Sequence, residues 1–335
     1  MAKIIGIDLG TANSLVCVKN KGIVLRQPTV VAISKADREI VALGSRARSM
    51  LGKTPAGIEA IKPLRDGVVS HPDITAKLIK AFFEYTDAIS FFSRPSVIIC
   101  VPYKVTEVEK RAVEDAVFEA GARSVALIEE PLAAAIGTGL RVGGARGNMI
   151  VDIGGGTTEV AVISLGGIVT SSSVRIAGDE LDEAIVSYLC RRRGIRIGLS
   201  EAEKLKIKIG SAHPAHDSGD SMVSGHSLES GLGAEMKILS SEIREAIAPN
   251  LDQIIQAIKK TLEQTPPELS SDIYDYGITL TGGGALLRGI DRLITERTGL
   301  KVKIAPRPLD SVCLGIFKII ESEGKMGSLL QYRGR

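Results

Sequence analysis

The chain has 335 residues, 44% of them hydrophobic and 24% charged, which is enough for two domains with a core each. A formal net charge of +3 is too small to make nucleic acid the expected partner. Cys17, Cys100, Cys190 and Cys313 lie far apart without paired spacing and are expected to be reduced, buried residues of a cytoplasmic protein; no apolar run approaches the ~20 residues of a membrane span, and no signal peptide is expected before the first strand.

Residues 1–33 alternate short strands and turns. Ile4-Ile5-Gly6-Ile7-Asp8-Leu9-Gly10-Thr11-Ala12-Asn13-Ser14-Leu15-Val16 is an apolar strand ending near an Asp, a polar turn with a glycine, and a second apolar strand; short strands follow at 22–25 and 29–33. From 34 to about 73 the pattern is polar and mixed, helix-like at 45–51 and broken by Pro55, Pro63 and Gly67, as suits a small lid. Ile74, Leu78, Ile79, Phe82 and Phe83 have helical spacing and predict a helix over 74–85. Phe91 and Phe92 then stand beside Arg94 in a loop before a strand at 97–101, and either fold back into the core or project as an apolar wedge. The next helix, 106–120, carries a capping box of Thr106 with Glu109, a stripe of Val108, Ala112, Val113, Ala116 and Val117, and Gly121 as its stop. A strand at 124–128 delivers Glu129 and Glu130 just before Pro131 opens a helix.

Val151-Asp152-Ile153-Gly154-Gly155-Gly156-Thr157-Thr158-Glu159 lies between the apolar runs 149–151 and 160–163, so it makes a hairpin around three glycines. Backbone N–H groups in such a turn can converge on phosphate, the hydroxyls of Thr157 and Thr158 can hold oxygens or a water, and Asp152 can hold a metal through waters. It is a second copy of the Asp8 motif, and a Gly-Ile-Val follows each at a similar distance, at 22–24 and 167–169. Two phosphate turns from two similar halves imply a cleft that grips one polyphosphate and its cation.

Further on, 178–193 reads as a helix with Leu181, Ile185, Tyr188 and Leu189 inward, and Arg191 to Arg193 complementing the dipole at its end. On a second helix, 200–209, Glu203 and Lys206 share a face, which by spacing alone is an ordinary surface ion pair. His213, His216 and His226 fall in a Ser, Gly and His-rich segment, 211–233, expected to be a loop or exposed hairpin rather than a metal site. An amphipathic helix through Leu251, Ile254, Ile255, Ile258 and Leu262 is stopped by Pro266-Pro267. A strand at 278–281 then enters Gly282-Gly283-Gly284-Ala285 and a following helix, a place for a flat nucleoside. A strand at 301–304, Pro306-Arg307-Pro308 and a helix over 309–320 close the pattern.

Asp8-Leu9-Gly10-Thr11-Ala12-Asn13, Glu129-Glu130-Pro131, the run from Asp152 through Gly178-Asp179-Glu180, the stretch 265–269 and Thr281 to Leu287 resemble the actin-like ATPases, and within them the bacterial MreB family. The resemblance implies an α/β fold: an actin-like, ribonuclease H-like duplicated two-domain fold with a nucleotide cleft. It implies one large subdomain from 1–33, 74–147 and 306–335 with a small one at 34–73, and another from 148–178 and 240–305 with a small one at 179–239. It implies ATP held by Gly10, Thr11, Ala12, Asn13, Gly154, Gly155, Gly156, Thr157, Glu203, Lys206, Gly282, Gly283, Gly284 and Ala285. Mg would be held through water by Asp8 and Asp152, and Glu130 with Thr157 would place the attacking water. Phe91 and Phe92 take the place of a membrane-dipping loop.

The same resemblance implies slow ATP hydrolysis as an assembly switch. Filaments, as paired protofilaments, would lie peripherally on the inner face of the cytoplasmic membrane and work with cell-wall synthesis and shape-determining membrane proteins; no nucleic acid is implied. Lys208 and Arg307 stand where relatives tend to carry acids, and Phe317 stands where a second small residue near Gly315 is usual, so ribose and filament contacts are expected to differ there. A small-molecule kinase would need a substrate base beyond the γ-phosphate, for which no separate candidate is found. A chaperone-type ATPase would need a further domain where only roughly fifty residues remain.

Overall fold

The computed structural model describes residues 3–65, 67–89, 93–322 and 324–333. It divides into two compact units, Met1–Arg146 with Ile163–Val169 and Leu309–Arg335, and Gly147–Val162 with Thr170–Pro308.

The first unit is built on a sheet in the order Gln331–Arg333, Ser124–Glu129, Ser96–Val101, Ile4–Leu9, Asn13–Val18, Gly22–Pro28. Ser124–Glu129, Ser96–Val101 and Ile4–Leu9 run parallel, and Asn13–Val18 and Gly22–Pro28 return antiparallel beside them. Near-continuous apolar runs such as Val97 to Val101 and Val125 to Ile128 are buried, the pattern of strands covered on both faces. A second sheet repeats the order as Val302–Ile304, Ile278–Thr281, Asn148–Ile153, Thr158–Ser164, Gly167–Val174, with the first three again parallel. The duplication seen in the motifs is thus a duplication of topology.

Helix Pro72–Tyr85 buries Ile74, Leu78, Ile79, Phe82 and Phe83 as its spacing predicts. Helix Glu107–Glu119 has the expected capping box: Thr106 Oγ1 accepts from the Glu109 N–H, and the Glu109 carboxylate accepts from the Thr106 N–H at 2.7 Å. Val108 does not join the buried stripe; it lies in the first turn and is 76% exposed. Strands Val31–Ser34, Ile40–Leu43 and Ile58–Ile61 form a small sheet over 31–61 with helix Gly44–Arg48, which is shorter than expected, and a local core of Val30, Ala32, Ala42 and Ala47.

Helix Glu130–Thr138 crosses helix Ser311–Glu321 backbone to backbone. A Cβ added at Gly137 would collide with the Ser311 carbonyl, and one at Gly315 with the Ala133 carbonyl. Lys318 Nζ ties the crossing by donating to the carbonyls of Ile136 and Gly137 at 2.9 and 3.0 Å. Gly315 is therefore used inside this unit. Gly315→Ala is expected to cost about 1–3 kcal/mol as an overpacked contact and to lower the melting temperature in a thermal scan; an unchanged melting temperature would show the crossing to be loose.

In the second unit, helix Gly178–Arg193 has the expected bounds, and Arg193 adds to the dipole argument a specific ion pair with Glu242 at 2.9 Å. Helices Leu199–Ile209 and Ser240–Glu263 pack on the same core, and of the loop or exposed hairpin expected over 211–233 the structure has a hairpin, Asp220–Ser227 paired with Gly233–Leu239, whose second strand lies beyond that segment. Three expectations need correction. Pro266-Pro267 does end one helix, but Pro267 also opens another, Pro267–Tyr276, with Pro at a tolerated first-turn position. The glycine triplet leads into a 3-10 turn, Gly283–Leu286, and the α-helix waits until Ile290–Thr298. Cys190 is partly exposed, whereas Cys17, Cys100 and Cys313 are buried. Among the described residues no helix is long and apolar enough to cross a membrane.

Candidate functional site

In the first unit three parallel strands deliver functional groups at their carboxyl ends, where open α/β sheets collect ligands. Asp8 is the penultimate residue of Ile4–Leu9, Cys100 that of Ser96–Val101, and Glu129 closes Ser124–Glu129. Cys100 Sγ donates to Asp8 Oδ1 at 3.4 Å. Burial pushes the Cys100 thiol up, and the charges of Asp8 and Glu130 push it further, so these three groups share one neighbourhood. Glu130 begins helix Glu130–Thr138, at the positive end of its dipole. Glu129 is half-buried; desolvation raises its carboxyl and Lys110 opposes the rise.

The turn from Gly10 to Asn13 is braced from behind. Thr29 donates from its hydroxyl to the Gly10 carbonyl at 2.7 Å and from its N–H to the Ala12 carbonyl at 2.9 Å, while Thr11 Oγ1 accepts from the Gly67 N–H at 3.0 Å. A Cβ at Gly10 would lie 2.8 Å from the Asn13 carbonyl oxygen.

The second unit repeats this geometry. The Gly154 N–H donates to the Thr157 carbonyl at 2.9 Å, and a Cβ at Gly154 would lie 3.1 Å from that oxygen. Neither Gly10 nor Gly154 has a positive φ, so crowding, not left-handed backbone, calls for glycine there. The N-terminus of helix Gly178–Arg193 closes on the turn, with Gly178 N–H donating to the Gly154 carbonyl at 3.2 Å and Asp179 N–H to that of Gly155 at 2.7 Å. The Thr158 hydroxyl donates to the Ile176 carbonyl at 2.6 Å and is buried, so it is used inside the fold rather than offered to a ligand.

Asp152 occupies in Asn148–Ile153 the position Asp8 holds in Ile4–Leu9, and desolvation pushes its carboxyl up to about 7. Strand Ile278–Thr281 runs beside it with Thr281 opposite Asp152. Gly282, at φ +81°, lies so close that a Cβ would collide with Asp152 Oδ1, and one at Gly284 would collide with Ile153. The turn 282–285 and the turn 154–157 thus meet on one strand. Carboxylate oxygens are the donor class that suits Mg, and a desolvated carboxylate is one whose charge a cation would relieve.

Lys206 Nζ lies 2.8 Å from Asp182 Oδ1 and donates to the Gly178 carbonyl at 2.6 Å, so its partner is a buried acid that helical periodicity had not marked. Glu203 is near enough for its charge to act on Asp182. Lys208 Nζ donates to Ser221 Oγ at 2.9 Å and the Lys208 carbonyl accepts from Arg288, while Arg307 is exposed. His213 faces Glu296 at 3.0 Å and accepts from the Ala215 N–H, beside a 3-10 turn Pro214–His216, and His226 lies on the hairpin strand Asp220–Ser227. Phe91 and Phe92 lie outside the described residues.

The model of the MreB/Mbl protein family matches residues 2–328. The chain belongs to the MreB/Mbl family. The cell shape-determining protein MreB of Escherichia coli (strain K12) is 49% identical over 322 residues, covering 95% of this chain and 93% of that protein. The cell shape-determining protein Mbl of Bacillus cereus is 47% identical over 321 residues, 96% of each. Crystal structures of MreB5 of Spiroplasma citri bound to ADP and to AMPPNP each superpose with a TM-score of 0.93 at 37% identity over 98% of both chains. A chain of the MamK double helical filament, 20% identical, shares the fold alone, with a TM-score of 0.81 over 95% of this chain and 98% of that one. The α/β, duplicated, actin-like fold implied by the motifs is the fold this MreB/Mbl family member has.

Proposed function

We propose that this protein is an ATP-dependent actin-like cytoskeletal protein. It polymerises into membrane-associated filaments, hydrolyses ATP slowly as an assembly switch, and organises cell-wall synthesis and rod shape. The observation that carries the proposal is the repeated strand-turn-strand, with Asp8 and Asp152 at equivalent strand positions and Gly10 and Gly154 each crowding a carbonyl three residues on. The bound ADP and AMPPNP of the MreB5 structures, and the cell shape-determining relatives, support it.

In this reading the turns 10–13 and 154–157 bind the phosphates, while Gly282 to Ala285, Glu203 and Lys206 take the adenosine. Asp8 and Asp152 would hold Mg through water, and the ion would supply positive charge against the phosphates. Glu130 and Thr157 orient the attacking water; alignment, rather than proton abstraction, is their task. Each large subdomain, with its smaller partner, responds to the state of the nucleotide, so that subunit contacts change on hydrolysis. The filament, as paired protofilaments, rests on the inner face of the cytoplasmic membrane through Phe91 and Phe92; flanking Tyr85, Ile89 and Arg94 are exposed, which suits an interfacial anchor. One weak anchor per subunit becomes effective through multivalency along the filament.

The test is sedimentation with and without anionic liposomes in ATP, ADP and no nucleotide, with phosphate read from the same tubes. Nucleotide-dependent pelleting with lipid is expected, and Phe91→Ser with Phe92→Ser is expected to abolish lipid pelleting while ATP turnover persists. A monomer in every tube that still hydrolyses ATP would overturn the proposal in favour of a kinase or chaperone-like switch.

A further inference from the structure

Asp182 lies on the buried face of helix Gly178–Arg193, one turn in from the end that closes on the glycine turn, with 6% of its surface exposed. Its carboxylate meets Lys206 Nζ at 2.8 Å, and the same ammonium donates to the Gly178 carbonyl at 2.6 Å. A lysine ammonium has three N–H donors and a flexible four-carbon stem. Here one hydrogen bond, to Gly178, and the ion pair with Asp182 together hold the ammonium in place.

We propose that Asp182 is a positioning residue: through its ion pair it aims the Lys206 ammonium at a ribose hydroxyl of the bound nucleoside triphosphate. The proposal rests on the reading in which ATP binds this unit with its nucleoside beside Lys206. A buried ion pair gives a helix contact little that an apolar pair would not, so its presence beside Leu181 and Ile185 calls for a use of the ammonium.

The charged groups facing Asp182 are Lys206 and Glu203 from helix Leu199–Ile209 and Asp179 from its own helix; on helix Ser240–Glu263, Glu242 and Glu245 face Arg193 and Tyr188 instead. Burial raises the Asp182 carboxyl, Lys206 lowers it, and Glu203 and Asp179 raise it, leaving it at about 6. Above that pH the carboxylate pairs with Lys206; below it the neutral acid gives up the ion pair and leaves Gly178 as the contact that holds the ammonium.

The test is equilibrium binding of ATP, 2′-deoxy-ATP and 3′-deoxy-ATP with Mg to the full chain and to Asp182→Asn, whose folding is checked by thermal unfolding. At about pH 7.5 the wild type is expected to prefer ATP about tenfold over the analogue lacking the bonded hydroxyl, and the variant by less than about twofold. At about pH 5.5 the wild-type preference is expected to fall towards that of the variant, whose own ratio stays level with pH. Equal weakening of all three nucleotides with the ratio kept, or a wild type that does not discriminate, would overturn the proposal and leave Asp182 a structural tie. If the variant does not fold, the wild type decides: a ratio unchanged between the two pH values overturns it. A wild type that binds none of the three removes the ATP reading itself, and this one with it.

Discussion

Replacing Glu130 with Gln is expected to lower phosphate release at least about a hundredfold while leaving ATP binding within a few-fold of wild type. The substitution keeps the shape of the side chain and leaves Pro131 to open the helix, so Glu130–Thr138 retains its place. What it removes is the negative charge that reaches Cys100 and shares a neighbourhood with Asp8. Binding survives because the glycine turns and both aspartates are untouched. The chain has no tryptophan, so a fluorescent nucleotide analogue reports binding, and phosphate release reports turnover. Glu129→Gln serves as the contrast, with an effect of a few-fold. Normal turnover in Glu130→Gln would move the water-positioning role elsewhere.

The second large effect concerns stability and opposes function. In the nucleotide-free protein Asp152 sits at about 7, well above its ordinary value of 3.8, because burial penalises the charged form. A carboxyl raised on folding adds stability that is full below the unfolded value and is lost as pH rises through the folded one. The nucleotide-free protein should therefore lose stability between about pH 4 and pH 7, by roughly 1–3 kcal/mol once the partial solvent exposure of Asp152 is allowed for. Asp152→Asn should match wild type at about pH 4.5, exceed it by a few degrees in melting temperature at about pH 8, and lose the stabilisation that Mg-ATP gives to wild type. Asp182, at about 6, titrates in the same window, so the difference between variant and wild type is the quantity to read. Identical pH profiles for the two proteins would show that Asp152 is solvated in the folded state.

What could be read from the chain follows from how locally each feature is encoded. The two Asp-turn motifs, the capping box at Thr106 and the stripe of helix Pro72–Tyr85 are each written in a dozen or so neighbouring residues, and the structure has them. Helix Pro267–Tyr276 buries Ile273 but has no apolar stripe to announce it, and its opening prolines also end the helix before. Strand Gln331–Arg333 is short and polar, and exists because the edge of Ser124–Glu129 accepts it. In the candidate site, the Asp8 and Asp152 turns and the glycine triplets could be picked out because turn chemistry restricts residue type. Cys100 and Asp182 were not, since one is a thiol among apolar strand residues and the other an acid on an apolar helix face; each acquires a partner only when distant elements meet. The hydroxyl of Thr158 misled because alternation along a strand does not say which of two adjacent threonines turns inward.

Helix Glu130–Thr138 and helix Ser311–Glu321 meet at Gly137 and Gly315. Where backbone rests on backbone, no side chain can change rotamer to absorb a shift, and Lys318 grips the last carbonyls besides. Helix Glu130–Thr138 and helix Ser311–Glu321 are therefore expected to shift together, with Glu130 at the N-terminal end of the first. A spectroscopic label on the outer face of Ser311–Glu321 is then expected to report any displacement of the helix that carries Glu130.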